Sequence, residues 1–167
     1  MDAETAAICL DFKPTPGRST TMPIQTKKIY AADLILCPWR VEELQTVIDS
    51  VLDYDCFLVN RDHAFDGSNS ELIKQIAAHK SDWIEVFGYN SEKIHDAIDN
   101  ASVALKRQSE VGCGEPMTSW DDYESDHDFV EYLRTGGHGV SNTKLLIFIG
   151  TDEQKKNLWN VIDREIA

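Results

Sequence analysis

At 167 residues, with 42% hydrophobic and 27% charged side chains, the chain has the size and balance of one globular domain, which argues against wholesale disorder. Its formal net charge of −13 argues against nucleic acid and anionic membrane as partners, because phosphate recognition depends on Lys and Arg; it fits either solubility alone or attraction of a basic protein. No apolar run approaches the roughly 20 residues that span a bilayer, and the acidic start Met1-Asp2-Ala3-Glu4 has no secretory pattern, so a cytoplasmic location is expected.

In chain order, Ala6–Leu10 reads either as a short edge strand or as a loosely packed segment. Residues 13–28 hold Pro14, Pro16, Gly17 and Pro23 among Ser and Thr, without an apolar period. Residues 1–28 are therefore expected to form an N-terminal arm, and 29–167 a single α/β domain.

From Ala32 onward the pattern is regular. Leu34–Cys37 reads as a buried strand stopped by Pro38. Val41, Leu44, Val47, Ile48, Val51 and Leu52 follow at helical spacing. Cys56–Val59 is a second strand, followed by a polar loop from Asn60 to Asn69. Leu72, Ile73, Ile76 and Ala77 mark a second helix, Trp83–Phe87 a third strand, and Ile94, Ala97, Ile98, Ala101 and Leu105 a long third helix. Phe129, Val130 and Leu133 indicate a short fourth helix, and Leu145–Ile149 the last strand. Thr151 with Gln154 makes a capping box for a final helix carrying Leu158, Val161 and Ile162.

Near-continuous apolar strands separated by helices imply a mainly parallel sheet covered on both faces. The expected fold is a three-layer, Rossmann-like or flavodoxin-like sandwich with at least four strands. Ligands of such folds bind beyond the carboxyl ends of the strands. That places Trp39 and Arg40, Arg61, Asp62 and His63, and Tyr89 among the candidate binding residues.

Val111–Trp120 has neither strand nor helix period, yet it holds Cys113, Met117 and Trp120 beside Glu115. Residues 109–122 reach roughly 45 Å when extended, enough to climb back over the sheet before the fourth helix descends. On this reading Cys113, Glu115 and Trp120 flank the ligand end, with Met117 and Trp120 packed against the domain. His138, in Gly136-Gly137-His138-Gly139, joins the candidate list.

These constellations name no chemistry. Gly112-Cys113-Gly114 lacks the strand before it and the third glycine of a dinucleotide fingerprint, and a tight turn is the simpler role. Cys113 with His127 or His138 as base is a catalytic pairing that spacing alone does not support. The acidic stretch around Asp121, Asp122, Glu124, Asp126 and Asp128 lacks calcium-loop spacing and suits the first turn of a helix. Cys9, Cys37, Cys56 and Cys113 form no ligand pairs, so no disulfide framework and no metal site is expected, and the residues name no cofactor.

Trp83-Ile84-Glu85, His95-Asp96-Ala97-Ile98-Asp99, Gly114–Trp120 and Gly136–Gly139 together resemble a group of small, uncharacterised bacterial α/β proteins, over roughly residues 83–150. The resemblance implies a bacterial source and carries no activity. The expectation is a non-catalytic binding or adaptor protein whose acidic surface engages a protein such as a basic toxin or nuclease. The alternative is a small-molecule-binding or enzymatic domain at the carboxyl ends of the strands.

Overall fold

The computed structural model describes residues 25–29, 32–38, 41–51, 54–68, 70–78, 81, 83–108, 116–122, 125–135 and 141–166. They form strands β1 (Gln25–Ile29), β2 (Ala32–Pro38), β3 (Asp55–Asn60), β4 (Trp83–Gly88), β5 (Met117–Asp121) and β6 (Thr143–Ile149). The helices are α1 (Val41–Ser50), α2 (Glu71–Ala78), α3 (Ser91–Gln108), α4 (Asp126–Arg134) and α5 (Asp152–Glu165).

The strands make one six-stranded sheet in the order β1-β2-β6-β3-β4-β5. β1 is antiparallel to β2, and the other five strands are parallel. The expected three-layer, Rossmann-like or flavodoxin-like sandwich is the fold. β1 straddles the boundary at residues 28 and 29 that composition suggested, because its Gln-Thr-Lys-Lys sequence has no apolar run to set it apart from the arm.

The order explains which helices share a face. From β2 through β3 and β4 to β5 the chain advances across the sheet, and α1, α2 and α3 cover one face. Leu44, Val47, Ile48, Leu72, Ile73, Ile76, Ile94 and Ile98 pack there against Cys56, Leu58, Ile84 and Val86. The step from β5 back to β6 reverses direction, so a crossover of the same hand places its helix on the other face. There α4 and α5 pack Phe129, Val130, Leu133, Leu158 and Ile162 onto Phe57, Val59, Phe87, Leu146 and Phe148. Every residue of β3 is buried, as a central strand covered on both faces requires.

The α5 capping box forms as expected: Gln154 N donates to Thr151 Oγ1 at 3.2 Å, and Thr151 N to Gln154 Oε1 at 2.8 Å. β5 was not anticipated. Residues 117–121 read as part of a loop, but they pair in parallel with Trp83–Phe87. As an edge strand β5 needs no continuous apolar run, and Pro116 just ahead of it looked like loop punctuation.

Candidate functional site

Because every helix follows the carboxyl end of a parallel strand, the strand ends and helix starts share one rim. There Arg61, Asp62, His63 and Tyr89 come together. Asn60, fully buried at the end of β3, organises them: its Nδ2 donates to the carbonyls of Asp62, Phe65 and Tyr89, and its Oδ1 accepts from Asp62 N. Asn90, at φ 57°, adds bonds from its Nδ2 to the carbonyls of His63 and Phe65. The exposed His63 ring stacks on Tyr89 with centroids 3.5 Å apart. Asp62 accepts from Ala64 N at 2.9 Å and otherwise faces solvent.

Arg61 turns the other way, toward α4. Its Nε and Nη2 donate to Asp126 Oδ1 at 3.2 and 3.1 Å, and little of its side chain is exposed. The guanidinium lies across Gly88. With φ +90°, a Cβ at Gly88 would meet Asn60 O at 2.2 Å and Arg61 Nη1 at 2.7 Å, so glycine is required for the close approach. The connections leaving β4 and β5 diverge to opposite faces, which opens a crevice in doubly wound folds. Here the Arg61–Asp126 pair bridges that divergence.

Trp39, Arg40, Cys113, Glu115 and His138 lie outside the described residues. The expectation that Met117 and Trp120 pack against the domain is corrected by β5. Met117 pairs with Trp83 at the amino rim, and only Asp121, opposite Phe87, reaches the carboxyl rim. Met117 is 61% and Trp120 44% exposed, so neither is packed into the domain. An edge strand with one neighbour buries only part of each face, which is why burial could not be inferred from side-chain type.

Two polar clusters arise that the motifs did not point to. On the α4 side of the sheet, Asp55 is fully buried and pairs with Lys144 Nζ, and Ser141 N donates to it at 3.1 Å. One strand over, Glu85 is 4% exposed and accepts from Tyr132 OH. The one signal in the sequence was a Glu at the centre of the apolar run Trp-Ile-Glu-Val-Phe. On the other face, Thr118 Oγ1 donates to Asp99 Oδ1 at 2.7 Å and lies 3.0 Å from His95 Nε2, tying β5 to α3. The clusters join sheet to helix, and in the second Thr118 Oγ1 lies within hydrogen-bond reach of His95 Nε2, whose Nδ1 is 3.3 Å from Asp96 Oδ1.

Burial shapes the remaining acids. It pushes the Tyr54 hydroxyl up, and the Cys56 thiol likewise, with Cys37 and Asp55 adding to the latter shift, so neither group ionises near neutrality. Among the described residues no group of three or more His, Cys, Asp or Glu is arranged to hold a metal ion. Among them, too, no helix is long and apolar enough to cross a membrane. No protein-family model matches the chain, and no curated protein is significantly similar to it.

Proposed function

We propose that this protein is a non-catalytic binding or adaptor protein whose acidic carboxyl rim engages a basic protein partner, with a basic toxin or nuclease as the kind of partner that fits. The observation that carries the reading is the gathering of carboxylates at that rim. The first turns of α2, α3, α4 and α5 bring Glu71, Glu92, Asp126, Asp128, Asp152 and Glu153 there. Helix dipoles account for these locally. They do not account for Asp62 in the β3 loop or for Asp121 and Asp122 at the end of β5, which add to the same rim.

Crowded like charges repel one another, and a cationic surface relieves the repulsion on docking. Of the cations at this rim, Arg61 and Lys155 are buried and paired with Asp126 and Asp152, while Lys74 and Lys93, in the first turns of α2 and α3, are exposed among the carboxylates. The divergence of β4 and β5 favours the second reading, a small-molecule or enzymatic site. The ion pair narrows that divergence, whereas β6 also diverges from its neighbours β2 and β3, with α5 on one face and α1 and α2 on the other.

The test is association of the full chain with a panel of purified small nucleases of high isoelectric point. Binding should slow as salt shortens the Debye length below about 8 Å. A variant carrying Asp121→Asn, Asp122→Asn, Asp152→Asn and Glu153→Gln should lose about tenfold in association rate at low salt. Association indifferent to salt, or a small molecule held stoichiometrically in native mass spectrometry, would overturn the reading.

A further inference from the structure

We infer that the partner contributes an extended basic segment that adds as a seventh strand to the outer edge of β5. This rests on the acidic-binding reading above and names the part of the partner that would be recognised.

The two edges of the sheet are unlike. β1 carries Lys27 and Lys28, the charged side chains that natural edge strands use against unwanted pairing. β5 reads Met-Thr-Ser-Trp-Asp and carries no lysine. Among the described residues no strand pairs with its outer side, so a row of main-chain donors and acceptors faces outward. Met117 stands on the α4 face, in register with Trp83, and Trp120 on the α3 face, in register with Val86. An added strand would therefore find an apolar contact on either side of the sheet. Main-chain pairing supplies affinity and alternate side chains supply specificity in this mode of recognition.

Charge selects the occupant. Asp121 and Asp122 close the strand at the carboxyl rim, and Asp99 of α3 is held beside Thr118. Lys106 and Arg107 stand at the far end of α3, at the amino rim. The added segment therefore carries its Lys and Arg at the end lying against Asp121 and Asp122. A second copy of this chain would bring two sets of these carboxylates together at −13 per copy. Residues 1–24 of this chain hold three acidic and two basic side chains and do not match the charge required.

The probe is a decapeptide of alternating lysine and valine, compared with its glutamate counterpart and with a form N-methylated on every second amide. Binding to the full chain is read by fluorescence titration and by amide hydrogen exchange. The lysine peptide should saturate the protein and slow exchange of β5 amides, and the glutamate peptide should not bind. N-methylation keeps the charge but removes a row of hydrogen bonds, so affinity should fall at least about tenfold. Trp120→Lys and Met117→Lys should weaken binding by a comparable factor with the thermal midpoint unchanged.

Equal binding of the methylated peptide, or indifference to both substitutions, would overturn the strand-addition proposal while leaving the acidic-rim reading standing. Failure of both the lysine peptide and the basic proteins would remove both. Concentration-dependent dimerisation abolished by Trp120→Lys would assign the edge to a second copy and overturn the basic-segment proposal.

Discussion

The two faces of the sheet are built on different physics. Against α1, α2 and α3 the core is almost wholly aliphatic, with Leu, Ile and Val side chains joined by Cys37, Cys56 and Tyr54. Against α4 and α5 it centres on Phe57, Phe87, Phe129 and Phe148, with Phe87 and Phe129 edge-on at 4.9 Å between centroids. The same face buries Asp55, Glu85, Arg61 and Lys155. Apart from the Thr118–Asp99 tie at its edge, the aliphatic face is held by transfer and packing, and each core position answers mainly for its own volume. A face with buried charges is held only while each charge keeps its partner. One helix layer is thus a robust support, and the other depends on a network.

The largest break in that contrast should come from Lys144→Ala. It leaves Asp55 buried beneath α4 without its cation, at a cost of about 3–5 kcal/mol in urea denaturation. Replacing Asp55 as well, as Asp55→Leu with Lys144→Met, should recover most of that loss, whereas no second substitution should rescue a truncation on the aliphatic face. If the single and double variants were equally unstable, the cost would lie in packing, and the network view of this face would be wrong.

Gly88→Ala should cost about 1–3 kcal/mol, because the left-handed backbone and the contact with Asn60 O both resist a Cβ. The Arg61–Asp126 bridge should loosen with it, which the nitrogen chemical shifts of the Arg61 side chain would report. On the aliphatic face, Ile84→Val should cost about 0.5–1.5 kcal/mol with no spectroscopic change near Asp126. A shift at Asp126 from this variant would show that the two faces are coupled.

The smallest effect concerns acid. The Arg134 hydrogen bond lowers the Glu131 carboxyl, and the Arg164 hydrogen bond, with His127, lowers that of Glu165. Because both folded values lie below the ordinary 4.5, their contribution is complete above that pH and is lost as pH falls through the folded values. Both carboxylates remain partly open to solvent, so added salt should shrink this part of the acid transition. Glu131→Gln with Glu165→Gln should flatten it, while an unchanged pH profile would remove these pairs from the account.

Much of this architecture was legible in the sequence, because a strand buried on both faces is apolar along most of its length. Cys56–Val59, Trp83–Phe87 and Leu145–Ile149 could be little else. The α5 start was legible for a local reason: its capping box involves residues three apart. β1 and β5 were not legible, since an edge strand has one neighbour and its composition is free to look like a loop. Among the candidate residues, the place of Arg61, Asp62, His63 and Tyr89 just after strands was legible. Their chemistry was not, because Arg61 acts with Asp126, 65 positions away.

Local periodicity and the residues beside each strand thus determined the layers, the parallel class and the rim where the acids gather. Tertiary structure alone decided that β6 inserts between β2 and β3, that α4 and α5 share a face, and that Asp55 meets Lys144. It also decided that Trp120 stands exposed on an edge that no other described strand pairs. The first set depends on contacts within a few residues, which sequence order specifies directly. The second depends on which distant segments meet, and apolar strands of similar length look alike until the whole sheet is assembled.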